Sequence, residues 1–202
     1  MATLNNQPFN INNFKAALGA GGARPNQFEV TINYPSILPT SGNPGLQGAF
    51  LITAAELPGS TQGVTPVYYR GRLIKLAGDK EFAPFNMTVI NDSAFTIRKA
   101  LEDWMAAIES RGNKSGLTVP ATYMGTITVR QLERNGGVLR EYKIVDAFPV
   151  EVGPVQLDFG SNDQISTFGA TFQYQTFEIS AGPANVVQPV LADVINNNSI
   201  TR

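Results

Sequence analysis

The residues that could perform chemistry lie in a few short clusters of charged side chains. The stretch FPVEVGPVQLDFGSNDQISTF, residues 148–168, carries Asp158 and Asp163 beside a glycine-containing turn. Paired carboxylates can bind calcium or cleave sugars. These two lack the oxygen-ligand spacing of a calcium loop, and no acidic partner is placed opposite Asp158 for sugar cleavage. The pattern instead predicts a β-hairpin with arms at Val155–Phe159 and Ile165–Phe177.

A second cluster, AGDKEF, holds the densest charge in the chain, with Asp79, Lys80 and Glu81 in succession. One hypothesis is acid–base catalysis by a carboxylate of this run. A solvated turn, or salt-bridge partners for a neighbouring chain, is the more common use of such a run. Ser110 and Lys114 are spaced one residue too far apart for the S-x-x-K motif of acylating enzymes.

A basic cluster follows two tyrosines, since Arg70, Arg72 and Lys75 come directly after Tyr68 and Tyr69. This mixture is typical of proteins that bind single-stranded nucleic acid. The whole chain argues against that function, because 15 basic and 16 acidic residues give a net charge of −1. We therefore favour an interface strand. The predicted inter-subunit interface consists of Glu56, Arg70, Arg72, Lys75, Asp79, Lys80 and Glu81.

The composition excludes several classes of site. The 202 residues include no cysteine and no histidine, so disulfides, thiolate metal sites and Ser-His-Asp catalysis are not expected. We predict no catalytic residue, no metal and no cofactor. No apolar run approaches the length of a membrane span, which predicts a soluble chain. Only 15% of the residues are charged, against about 25% in ordinary globular domains. A surface largely covered by partners would account for that.

The elements that position these clusters are mostly strands. Alternating apolar residues predict strands at Phe28–Tyr34 and Phe85–Ile90, and Asn135–Gly137 predicts the turn of a hairpin over residues 126–148. Further expected elements are a short helix at Asn10–Leu18, a loop at Pro35–Gly48, a strand at Phe50–Ala55 and a long strand at Val67–Gly78. The fold class is therefore mainly β.

One long helix is predicted, from about Ala94 to Glu109. Its apolar residues fall on a single stripe, which is typical of a helix packed on a sheet. The stripe consists of Ile97, Leu101, Trp104, Met105 and Ile108. Ser93 or Asp92 is expected to cap the start of the helix, and Gly112 lies where a C-terminal glycine belongs.

Several motifs resemble, in order, the tail tube proteins of contractile-tailed bacteriophages. The similarity runs from about Arg24 to Glu178. The motifs are ARPNQFEV (23–30), AAELPG (54–59), IKLAGDKEF (74–82), NMTVINDSAF (86–95) with the helix that reaches Trp104, and the 148–168 stretch. The tubes of contractile injection systems and type VI secretion systems share this architecture.

The resemblance implies a β-sandwich or barrel subunit with one flanking helix, whose strands join those of neighbouring copies into a continuous barrel. Such subunits form hexameric rings that stack inside a contractile sheath, and the genome passes through the lumen into the host without specific binding. The implied partners are further copies of the chain, the sheath protein, and baseplate and tail-terminator proteins. The protein would be assembled in the host cytoplasm and belong to the virion tail.

Two other classes of function remain as alternatives. The chain could be the inner tube of a contractile injection or type VI-like system, or a baseplate or tail-terminator binding module. A carbohydrate-active enzyme is a further class, but no carboxylate pair supports it.

The resemblance also suggests roles for particular segments. Residues 1–22 are expected to form an N-terminal arm, 23–179 the tube domain and 180–202 a C-terminal extension. Both ends are expected to bury apolar side chains against other copies. One side of the strand around Phe172 is polar but uncharged, which suits a wetted wall better than a catalytic cleft. The predicted lumen-facing residues are Thr167, Thr171, Gln173 and Gln175.

Overall fold

A computed structural model of the chain describes residues 11–18, 22–38, 44–109, 116–117 and 119–181. The helices are α1 (Ile11–Leu18), α2 (Pro44–Leu51), α3 (Thr96–Ile108) and α4 (Pro120–Tyr123). The strands are β1 (Phe28–Asn33), β2 (Ile52–Ala55), β3 (Ser60–Tyr69), β4 (Arg72–Phe82), β5 (Phe85–Ile90), β6 (Gly125–Leu132), β7 (Val138–Val152), β8 (Thr167–Gln173) and β9 (Thr176–Ala181). Within these ranges, no helix is long and apolar enough to cross a membrane.

Strand β7 is shared by two antiparallel sheets. Its first part pairs with β6 and β9, which gives the order β1-β6-β7-β9, and this set is called sheet A below. Its last part, residues 148–152, pairs with β8, which gives the order β7-β8-β5-β2, called sheet B. The strand changes sheets next to Asp146, whose φ of 57° marks a local bend. A mainly β, antiparallel fold is thus confirmed.

One core joins both sheets to α3. The alternation predicted for β1 and β5 is confirmed, because Val30, Ile32, Met87 and Val89 are all buried. Buried residues of β6, β7 and β8 face the same cluster. The predicted stripe of α3 packs against it, with Ile97, Leu101 and Trp104 fully buried and Met105 and Ile108 half-buried.

Trp104 occupies the centre of this core. Its ring centroid lies 5.5 Å from that of Tyr34, which follows β1, and 6.1 Å from that of Phe172 in β8, so the indole connects both sheets to the helix. Its indole Nε1 donates a hydrogen bond of 2.7 Å to the carbonyl of Tyr123 in α4. The buried indole therefore has its polar partner, as a buried tryptophan requires. Burial raises the pKa of the neighbouring Tyr34.

Helix α3 begins at Thr96, two residues later than predicted, and Phe95 occupies the N-cap position instead of Asp92 or Ser93. Asp92 still stabilises the start of the helix. One carboxylate oxygen accepts the backbone N–H of Thr96 at 2.8 Å, and the other accepts the Thr96 hydroxyl at 2.7 Å. These bonds favour the ionised carboxylate, so they lower the pKa of Asp92. Phe95 adopts a left-handed φ of 52° just before the helix. The predicted terminating glycine, Gly112, lies outside the described residues.

The prediction of one strand at Val67–Gly78 is wrong. The chain instead forms a hairpin, in which β3 turns back at Arg70 and Gly71 and continues as β4. Their φ angles are 45° and 81°, the pair of left-handed conformations that a two-residue hairpin turn needs. Arginine rarely adopts this conformation, which is why the sequence did not predict a turn there.

Two further boundaries differ from the sequence prediction. Residues 44–51 of the predicted loop and strand form helix α2, and the strand begins only at Ile52. The predicted hairpin between Val155 and Phe177 does not form, because the pairing positions of β8 are taken by β5 and by the end of β7. Residues 153–166 are irregular instead.

Candidate assembly surfaces

The β3–β4 hairpin is exposed along almost its whole length. Every residue from Ser60 to Ala77 is solvent-exposed, although many are large and apolar. These apolar residues are Val64, Val67, Tyr68, Tyr69, Leu73, Ile74 and Leu76. Isolated two-stranded hairpins are at best marginally stable in water, and exposed apolar strands are prone to pair with other chains.

Both faces of this hairpin are apolar. Val67 pairs with Ile74, and their side chains lie on one face. Tyr68 pairs with Leu73, and because side chains alternate along a strand, this pair lies on the opposite face. Covering one face would therefore leave the other in water. The hairpin fits between two partner surfaces better than on top of one.

The base of the hairpin is fixed to the body by aromatic rings. Phe82 lies 5.7 Å from the ring of Tyr174 and 5.6 Å from that of Phe177. The Lys80 ammonium sits over the rings of Phe82 and Phe177, at 5.2 and 5.6 Å. The Tyr174 hydroxyl donates to the carbonyl of Gly59 at 3.3 Å. These contacts fix the orientation of the hairpin at its base, while its tip extends away from the body.

The structure brings most of the predicted interface residues onto this hairpin. Arg70, Arg72, Lys75, Asp79, Lys80 and Glu81 all lie on it and are exposed. In the described part of the chain, none of these six side chains takes part in a salt bridge. Glu56 lies elsewhere, beside sheet B, where its carboxylate accepts the side-chain amide of Asn86 at 3.1 Å.

The outer face of sheet B, turned away from the core, is polar. Thr171 donates its hydroxyl to Asn86 at 3.0 Å, and Asn86 donates in turn to Glu56, so that three elements are linked. These residues line a shallow groove of about 270 Å³ together with Ala54, Thr88 and Gly169. The four strand segments of sheet B contain no lysine and no arginine. The face is therefore neutral to acidic.

Three of the four predicted lumen residues lie on this face. Thr167, Thr171 and Gln173 alternate along β8 with buried Phe168, Ala170 and Phe172. Gln175 lies beyond the end of β8, where its N–H bonds to the carbonyl of Val145 at the bend between the sheets. Sequence reasoning missed Asn86 and Glu56 as members of the face. The position of Asn86 between buried Phe85 and Met87 was the available signal.

The irregular segment 153–166 is anchored at both ends. The N–H of Gly153 donates to the carbonyl of Gly169 at 2.7 Å, and Arg98 donates to the carbonyl of Gly153 at 3.1 Å. At the far end, the N–H of Asn91 donates to the carbonyl of Ser166 at 2.9 Å. The segment is therefore a loop presented from fixed ends. The described residues contain no group of three or more acidic side chains placed to hold a metal ion.

Sequence comparison relates the chain to tail tube proteins. Residues 23–180 match the family described as phage tail tube protein. Tail tube protein gp19 of Enterobacteria phage T4 is 34% identical over 157 residues, which cover 77% of this chain and 91% of that protein. The tail tube protein of Serratia phage KSP90 is 24% identical over 166 residues, 81% of this chain and 93% of that protein.

Solved structures share the fold. A chain of the extended sheath–tube complex of the extracellular contractile injection system PVC superposes with a TM-score of 0.55 at 16% identity, covering 83% of this chain and 97% of that chain. A chain of the tube-terminating cap of the anti-feeding prophage gives 0.58 at 14% identity, covering 79% and 91%. The match to the family spans most of the sequence, and a relative shares a third of the aligned residues. This chain belongs to the phage tail tube protein family.

Proposed function

We propose that the chain is the repeating subunit of a phage tail tube. Copies form hexameric rings, the rings stack inside a contractile sheath, and the lumen conducts the genome into the host. The protein works in the virion tail as a structural part and catalyses no reaction. Its partners are other copies of itself, the sheath protein, and the baseplate and tail-terminator proteins at the two ends of the tube.

The exposed hairpin is the observation that carries this proposal. A monomer that kept two apolar faces in water would be prone to aggregation, and natural proteins avoid such edges. In a stacked assembly the same faces become contacts with neighbouring copies. The predicted interface residues Arg70, Arg72 and Lys75 then determine the orientation in which the hairpin docks, because charged side chains fix the register of a contact and discriminate against wrong partners.

Ring closure is proposed to use the two free edges of sheet B. Strand β2 is one edge, and residues 148–152 of β7 form the other, since each pairs on one side only within the part of the chain that the structure describes. If β2 of one copy pairs with residues 148–152 of the next, the four strands of each subunit continue around the ring without an edge. Closure of this kind removes the edges that a single copy leaves open.

The outer face of sheet B is proposed to line the lumen. DNA carries one negative charge per about 1.7 Å of helix axis, and every phosphate paired with a lysine or arginine adds salt-dependent affinity. A basic wall would hold DNA at each stacked ring. A wall built from Thr167, Thr171, Gln173 and the acidic Glu56 is wetted yet does not attract phosphate. Gln175, at the bend, would lie near the rim of this wall.

A second candidate is the inner tube of a contractile injection system. The similarity in fold to chains of the PVC sheath–tube complex and of the anti-feeding prophage cap favours it. The sequence relatives favour the phage tail, because the proteins at 34% identity are tail tube proteins of phages. A tail-terminator or baseplate role would predict single rings that do not stack.

The test is the assembly state of the purified full-length chain. Mass photometry should find rings with six times the mass of the 21.7 kDa chain, and negative-stain microscopy should find tubes of uniform width. Rings that never stack would move the assignment to a terminator or baseplate component. Monomers at all concentrations and salt conditions would contradict the proposal.

A further inference from the structure

The loop 153–166 exposes apolar side chains to an unusual degree. Leu157 is 90% exposed, Ile165 is 71% exposed, and Phe159 is as accessible as in an extended peptide, at 106%. Among the described residues, the bonds at the tip are local, such as the one from the N–H of Gly160 to a carboxylate oxygen of Asp158 at 3.0 Å. Exposed apolar clusters of this kind, held on a fixed base, mark surfaces that bind a partner.

The charge of this loop is wholly acidic. Residues 153–166 include Asp158 and Asp163, and they include no lysine or arginine. The part of the hairpin nearest its tip, residues 64–77, has the opposite composition, since it includes Arg70, Arg72 and Lys75 and no acidic residue. The loop therefore carries two negative charges and the hairpin tip three positive charges, beside exposed apolar side chains. They are complementary in both respects.

We propose that the hairpin tip of one copy docks on the 153–166 loop of another copy. Tyr68 and Leu73 then cover Leu157 and Phe159, while Arg72 and Lys75 face Asp158 and Asp163. The inference rests on the proposed tube function and specifies the receiving surface for the hairpin. The acidic partners are then Asp158 and Asp163.

The contact is heterologous, because the hairpin and the loop are different surfaces of the same chain. Repetition of such a contact builds a ring or an open stack instead of closing a symmetric pair. The fixed ends of the loop and the aromatic base of the hairpin mean that both surfaces are positioned before they meet. Preorganisation of this kind reduces the entropy lost on association.

The experiment exchanges the charges of the two surfaces. The hairpin variant carries Arg72→Glu and Lys75→Glu. The loop variant carries Asp158→Asn, which keeps the oxygen that bonds to Gly160, and Asp163→Lys. Each variant alone places like charges together, and we expect its critical concentration for tube formation to rise by about tenfold or more. Both should keep the wild-type melting temperature, since the altered side chains are exposed.

An equimolar mixture of the two variants is the decisive sample. In an alternating assembly, the acidic hairpin of one variant meets the loop that has gained a lysine in the other. The wild-type hairpin of the second variant meets the wild-type loop of the first. The mixture should therefore form tubes near the critical concentration of the wild-type chain. Arg134→Glu, in the exposed turn between β6 and β7, is the control for a charge reversal elsewhere. The inference is overturned if the loop variant assembles like wild type, or if the mixture fails to rescue. Absence of wild-type tubes would instead contradict the proposed function.

A crosslink provides a second measurement that does not depend on the charge variants. The chain has no cysteine, so Tyr68→Cys and Leu157→Cys together introduce the only two thiols. A short bismaleimide should link copies in assembled tubes into covalent oligomers. The control pairs Tyr68→Cys with Ser93→Cys. If the tubes remain intact and the reagent links this control pair but not the Tyr68→Cys and Leu157→Cys pair, the receiving surface lies elsewhere.

Discussion

Asp92 connects the end of the β5 strand to the first turn of α3 through its carboxylate. Its folded-state pKa is lowered by the hydrogen bonds to Thr96, so the ionised form stabilises the native chain above the unfolded pKa. We expect Asp92→Ala to lower the free energy of unfolding by about 1 kcal/mol at pH 7. This difference should shrink as the pH falls through the lowered pKa of Asp92. Urea unfolding of the wild-type and Asp92→Ala chains at several acidic pH values measures this stability difference. A difference that does not change with pH would contradict the prediction.

Gly125 is required by the close approach of two rigid groups. A Cβ at this position would lie 2.7 Å from the carbonyl oxygen of Asn33 and 2.7 Å from the ring of Trp104. We expect Gly125→Ala to destabilise the fold by about 1–3 kcal/mol, because the buried indole cannot move away. Gly59→Ala is the matched control, since nothing lies within 4 Å of a Cβ there. Equal urea midpoints for the two variants would refute this packing argument.

Among the elements, those with a regular period could be predicted from the sequence. One side of β1, of β5 and of α3 faces the core. The apolar alternation of these strands and the apolar stripe of the helix therefore predicted which of their residues are buried. The β3–β4 hairpin lacks such a periodic pattern, since the described part of the subunit buries neither of its faces. Helix α2, PGLQGAFL, includes two glycines and no charged residue, so its packing against β1 outweighs its weak propensity. Sequence motifs identified the family, whereas the positions of Glu56 and Asn86 depended on strand pairing.

The hairpin separates the stability of the subunit from the stability of the assembly. Tyr68 and Leu73 contribute to no core, so we expect Tyr68→Ser with Leu73→Ser to leave the melting temperature unchanged. Burying each side chain against a partner is worth about 1.5–3 kcal/mol, so tube formation should need a far higher protein concentration. Thr61→Ser, at the exposed base of β3, is the control. Sedimentation of tubes over a series of protein concentrations measures the critical concentration for assembly. Normal assembly of the double variant would contradict an interface role.

At the scale of the whole molecule, the polar face of sheet B predicts how the tube treats DNA. Thr167→Lys with Gln173→Lys adds two positive charges per copy to this face without touching the core. We expect the variant to form tubes that retain a labelled oligonucleotide at about 50 mM salt and release it at about 200 mM. Asp103→Lys changes the net charge by the same two units on the exposed side of α3, away from this face, and should retain little. Equal retention by both variants in a co-sedimentation assay would show that the face does not line the lumen.

Strand β7 gives the subunit a mechanical property. It spans both sheets over 15 residues and is bonded to β6 and β9 in its first part and to β8 in its last. Antiparallel hydrogen bonds lie perpendicular to their strands, so a pull along β7 loads the whole row in shear at once. A pull across the strand would break them one by one. A tube driven forward by a contracting sheath is pushed along its axis, and the response of each subunit to that thrust depends on the angle between β7 and the axis.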